Sequence, residues 1–219
     1  MIHFYGVVEA LEELPAVEGV DAQPLERRRI EGLDLVLSET PHEPSEVTQD
    51  AVLAHANVVE ELMARSAAVL PARFGRAFAN EQELADALRA KAPQLARGLN
   101  LVRGCVEFGL RALGGGVADD QPSRRSGREY MRTRLAEENA RQRLATELHE
   151  PLARLARASS RFGGASSDLL RSAYLVSRED IAAFSEHVRS LETGHPEVTI
   201  VCTGPWPPYS FADNGEGDA

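Results

Sequence analysis

The sequence predicts an α+β fold in two domains, and three observations carry the prediction. Strand-like runs rich in β-branched residues are interleaved with segments whose apolar residues recur at helical spacing. A glycine-rich, aperiodic stretch at 114–127 separates two such sets, as a flexible surface linker would. The chain then closes on Thr203-Gly-Pro-Trp-Pro-Pro-Tyr-Ser-Phe211, with three prolines, three aromatics and the sole tryptophan. The expected domains are a ferredoxin-like α/β sandwich over 1–113 and a smaller α+β domain with a long helix over 128–219.

Residues 2–8, Ile-His-Phe-Tyr-Gly-Val-Val, form the first expected strand. Leu25–Ile30 and Leu33–Leu37 pair as a hairpin turning at Glu31-Gly32, although three consecutive arginines weaken the first arm. Pro44-Ser45-Glu46 opens a helix with Ser45 as N-cap, and Val47, Ala51, Ala54, Val58 and Leu62 mark its inward face. Val69-Leu-Pro-Ala-Arg-Phe-Gly75 is strand-like, and Pro71 places it at an edge or a bulge. Asn80 and Glu83 start a second helix with Leu84, Leu88, Leu95 and Leu99 on one face, kinked or interrupted by Pro93. Val106, Phe108 and Leu110 alternate with polar or small residues, which predicts a half-buried strand returning to the same sheet.

Beyond the linker, 128–158 reads as one long helix with Leu144, Leu148, Leu152 and Leu155 as its stripe and a bend at Pro151. After a Gly163-Gly164 loop, Leu169–Val176 is a strand, and Ser177-x-x-Asp180 caps a helix with Ile181, Phe184, Val188 and Leu191 inside. The helix ends at Gly194 and Val198–Cys202 is the last strand. A crossover of that length requires a parallel pair, or a pair split by another strand. Proline cannot donate to a ladder, so 203–211 is expected to leave the sheet as a stiff extended strap. A stiff strap loses little entropy on packing, which suits it to lock its own fold or to dock on a partner.

Composition removes several function classes. At 219 residues the chain can bury a substantial core, and no apolar run approaches the roughly 18 residues that a membrane span needs. The start, Met1-Ile-His-Phe-Tyr, has no signal-peptide character, so a cytoplasmic location is expected. A net charge of −10 repels phosphate and argues against nucleic-acid binding. Residues 124–161 are locally basic, with ten arginines against five glutamates, but only Tyr130 could stack on a base. An exposed helix whose arginines serve an acidic partner is the better reading.

The chemistry-bearing residue types form no catalytic pattern. The six histidines are scattered without an i,i+4 pair, so no metal is expected. Cys105 and Cys202 lie in strand-like runs as small buried hydrophobes. There is no nucleophile elbow and no glycine-rich phosphate cradle leading into a helix. The carboxylate pairs, such as Glu60-Glu61, sit on polar faces or in loops. The expectation is a protein without catalysis or cofactor.

Several segments in register resemble the gas vesicle synthesis proteins of the L/F type. They are Tyr5-Gly-Val-Val8, His55-x-x-Val-Val-Glu-x-Leu62, Leu70-Pro-x-Arg-Phe-Gly75 with Phe78, Val106-Glu-Phe-Gly109, Ala173-Tyr-Leu-Val176 with Phe184, and His195-Pro196 leading into Cys202–Phe211. Phe108 stands where that family's pattern has tryptophan, which keeps an aromatic. The resemblance implies a non-enzymatic accessory protein of gas vesicle assembly, acting at the vesicle in nucleation, in chaperoning or as a minor shell component. Its implied partners are the small hydrophobic major shell protein and other accessory proteins, without membrane insertion. Candidate contact or domain-junction residues are Arg73, Phe74, Phe108, Trp206, Tyr209 and Phe211. The alternative is a small-molecule-sensing regulatory module built on a ferredoxin-like sheet.

Overall fold

A computed structural model of the chain describes residues 1–40, 47–114, 127–163 and 168–212. The strands are β1 (Ile2–Glu9), β2 (Glu26–Ile30), β3 (Leu33–Glu39), β4 (Ala68–Pro71), β5 (Ala77–Phe78), β6 (Cys105–Gly114), β7 (Ala158–Arg161), β8 (Asp168–Ser177) and β9 (Val198–Trp206). The helices are α1 (Gln49–Arg65), α2 (Glu81–Val102), α3 (Gly127–Leu155), α4 (Ile181–Gly194) and the single turn α5 (Tyr209–Ala212).

The fold is α+β with two sheets, one ordered β2-β3-β1-β4 with β5 also on β1, the other ordered β7-β8-β6-β9. By contact the chain divides into two compact units, Met1–Glu107 with Pro205–Ala219, and Phe108–Gly204. The glycine-rich stretch at 114–127 lies outside the described residues except for its two ends.

In the first unit β1 is central and buried along almost its whole length, because both sheet faces are covered. Val69 of β4 joins a cluster with Tyr5, Val36, Val58, Val59 and Leu62, on the α1 side. Its neighbour Leu70 points the other way, where its methyl groups fill the space a Cβ on Gly98 of α2 would take. The two helices therefore sandwich the sheet. A bulge between Phe4 and Gly6 shifts the β1–β3 register. Gly6 is required there, since a Cβ would stand 2.5 Å from the Leu70 carbonyl oxygen. The hairpin turn forms where expected, with Glu31 at φ 52° and Gly32 at φ 79°.

Four expectations for this half change. Thr48 caps α1, its side chain accepting from the Ala51 N–H at 3.2 Å, and Ser45 lies outside the described residues. Val47 therefore precedes the helix and is 77% exposed, not inward. Pro93 leaves α2 a single element, because it sits on the solvent side where the carbonyl it leaves without a helical N–H can bond to water. The strand at 105–114 does not rejoin the first sheet to complete a ferredoxin-like sandwich; it pairs inside the second.

The second sheet carries the split crossover, with β8 and β9 joined through α4 and β6 inserted between them. Its succession is β-α-β-β-α-β. The helix expected over 128–158 ends at Leu155, and Ala158–Arg161 forms β7 against β8. Its Pro151 lies within the helix. Neither Ser177 nor Asp180 makes a capping hydrogen bond, and a 3-10 turn over Arg178–Asp180 leads into α4 instead. The core of this unit packs Phe108 against Phe184 in a tilted pair at 5.0 Å between ring centres, with Tyr174 at 5.5 Å from Phe184.

Candidate contact site on the C-terminal strap

β9 runs to Trp206, four residues past the expected end. It can include Pro205 because it is an edge strand, where a missing donor costs no ladder bond. The prolines that follow are buried, and the chain then tightens into α5 rather than staying extended. Tyr209 N–H donates to the Pro207 carbonyl at 2.8 Å and Phe211 N–H to that of Pro208 at 3.2 Å.

A carboxylate holds this turn. Glu107 accepts from the Ser210 N–H at 2.8 Å and from the Ser210 hydroxyl at 2.6 Å, although the two are 103 residues apart. Glu107 is 9% exposed, and burial pushes its carboxyl above the ordinary range while the Ser210 bonds pull it back. Phe211 is buried, and Tyr209 packs on the Tyr5–Val69 cluster of the first unit. Burial, with Glu60 adding to it, pushes the Tyr209 phenol up to about 12, so it stays neutral. Burying a residue such as Phe211 contributes roughly 1.5–3 kcal/mol. Trp206 differs from both, being 46% exposed.

The six sequence candidates thus have distinct places. Tyr209 and Phe211 anchor the strap in the first unit, Phe108 is core in the second, and Trp206 is presented to solvent. Arg73 is exposed on the turn between β4 and β5. Phe74, half-buried beside it, closes over His3 and His55 at 5.7 Å from each ring.

Those histidines, scattered in the sequence, belong to one buried polar cluster. His3 Nε2 lies 2.9 Å from His55 Nδ1, and His55 Nε2 lies 2.9 Å from the Ala72 carbonyl oxygen. A carbonyl only accepts, so His55 carries its proton on Nε2 and accepts at Nδ1 from His3. Burial depresses both imidazoles, His3 to about 4 with the adjacent His55 adding to the effect. Tyr5 stacks on His55 at 5.2 Å, and its hydroxyl meets Ser38 Oγ at 3.0 Å and accepts from the Val20 N–H at 2.7 Å. Tyr5 thereby fastens the loop between β1 and β2 to the core. Fifty-two residues separate the two histidines, and no local spacing signals the pair.

Among the described residues no group of three or more His, Cys, Asp or Glu side chains is placed to hold a metal ion. No helix among them is long and apolar enough to cross a membrane.

Comparison with known proteins bears on the whole length. Residues 1–213 match the family model described as gas vesicle synthesis protein GvpL/GvpF. Gas vesicle protein F1 of Halobacterium salinarum is 31% identical over 215 residues, covering 97% of this chain and 92% of that protein. Gas vesicle protein L of a Streptomyces species is 31% identical over 221 residues, covering 90% of this chain and 77% of that protein. Among solved structures, GvpF from an Anabaena species superposes with a TM-score of 0.81 at 20% identity, covering 100% of this chain and 98% of that one. GvpF from Microcystis aeruginosa gives 0.78 at 18% identity, covering 96% and 98%. At such identity the two structures speak to the fold alone.

Proposed function

We propose, because this chain belongs to the gas vesicle synthesis protein GvpL/GvpF family, that it is a non-enzymatic accessory protein of gas vesicle assembly. Its task is to hold the small hydrophobic shell protein before or during its addition to a growing vesicle. A shell subunit with apolar strand surface is an aggregation hazard until it assembles. A soluble acidic partner that offers an apolar contact covers that surface while keeping the pair dispersed.

The observation that carries this reading is the presentation of Trp206. An indole that is 46% exposed on a strap clamped by Glu107 and anchored by Phe211 is pre-organised, so little entropy is lost on docking. Tryptophan is also the residue type most enriched at binding hot spots. Tyr209 and Phe211 then serve the contact indirectly, as anchors.

The test of the role is genetic. Cells lacking the gene are expected to form few or no buoyant vesicles, and the wild-type gene to restore them. A Trp206→Ala gene should restore few, although the protein accumulates to the wild-type level. Normal flotation without the gene would contradict the proposal.

A further inference from the structure

The first half of α3 stands apart from the packing that its second half makes. Buried positions begin at Ala145 and continue through Leu148 and Leu152. Upstream, Tyr130, Met131 and Leu135 are 56%, 66% and 63% exposed. Met131 and Leu135 are one turn apart, on the side opposite Thr133 and Glu137, the half-buried positions of that stretch. Arg128 and Arg132 flank this apolar pair on one side and Arg134 on the other. Residues 127–143 hold five arginines against three glutamates, on a chain whose net charge is −10. The segment is a basic, apolar helical arm about 24 Å long at 1.5 Å per residue.

The first unit carries a recess of matching character. An open groove of about 720 Å³ lies between the turn at 17–22 and the first half of α1. Its apolar lining includes Val17, Ala51 and Ala54, and Glu18, Asp21 and Asp50 stand on its rim. Small residues on the α1 face let a second helix approach closely, and Leu53, 57% exposed, stands on the next helical row. Charge and apolarity are thus complementary between arm and groove.

We propose that the α3 arm of one copy docks in the α1 groove of a second copy of this chain. Such a contact is head-to-tail. Arm and groove are different surfaces, so one copy can make the contact once with each of two others. The proposal rests on this complementarity and stands independently of any contact with a shell protein.

The experiment measures mass by light scattering on the full chain. The wild type is expected to gain mass with concentration at low salt. It should return to the monomer near 1 M salt, where the Debye length is about 3 Å. An arm variant, Arg132→Glu/Arg134→Glu, and a groove variant, Glu18→Lys/Asp50→Lys, should each be monomeric alone with unchanged circular dichroism. Mixed, they should form a species of two that grows no further, because one intact arm meets one intact groove. Met131→Ser/Leu135→Ser supplies a second arm variant that leaves the charge unaltered, and it should behave as the first does. A wild type that stays monomeric at every concentration overturns the proposal, as would variants that associate like the wild type or a mixture that remains monomeric.

Discussion

At the scale of single residues, the buried polar groups are where acid acts on this protein. Protonating His55 removes the acceptor that His3 Nε2 uses, and protonating His3 creates an N–H at Nδ1, which has no partner among the described residues. Tyr5 and Phe74, the other rings against the pair, supply no charge to compensate. The folded pKa lies below the unfolded value, so the folded state binds fewer protons. Stability is fully present above 6.5 and falls with pH until about 4, the depressed value of His3. The loss amounts to about 3 kcal/mol for His3. Denaturant midpoints measured across that window should show it, and a His3→Gln variant should flatten the slope. An unchanged slope would separate the acid response from this pair. Ser210 offers a second test. Ser210→Ala leaves one Glu107 oxygen buried without its hydroxyl partner and should cost about 1–3 kcal/mol, read as a lower urea midpoint.

At the scale of elements, what could be read from the sequence was what is written locally. The β2–β3 hairpin follows from Glu31-Gly32, and α2 starts at Asn80, whose side chain accepts from the Glu83 N–H at 3.0 Å. β7 could not be read, because Ala-Ser-Ser-Arg has no apolar alternation and becomes a strand only by pairing with β8. The destination of β6 was also hidden, since half-buried alternation says that a strand has a sheet but not which one. For the strap, prolines and aromatics were visible from the start. The clamp was not, because Glu107 sits at a position in β6 that alternation assigns to solvent. Gly6 is the element-scale prediction. Gly6→Ala pushes a methyl onto the Leu70 carbonyl, which cannot move without breaking the β1–β4 ladder. A loss of about 1–3 kcal/mol is expected, measured as the fall in thermal midpoint.

Across the whole molecule, the two sheets share one strand order, second-third-first-fourth, counting the four main strands of each along the chain. In both, a helix joins the third strand to the fourth. The second sheet also has a helix between its first two strands. The first has instead the loop over 10–25, held down by Tyr5. The family's Tyr5-Gly6 segment therefore does structural work twice, fastening that loop and making room for β4. Motifs recognised in a sequence as a family signature are here mostly core: Tyr5, His55, Phe108, Tyr174, Phe184 and Phe211 are all buried. Among the aromatic residues of these motifs Trp206 alone is exposed, and that contrast makes it the residue on which the functional account turns.

The direct test is the affinity of the purified chain for the shell protein, for wild type and for Trp206→Ala, with equal thermal midpoints confirming that both are folded. The account predicts a loss of about thirtyfold, which corresponds to a hot-spot contribution of about 2 kcal/mol. Equal affinities, or no measurable binding by the wild type, would contradict it.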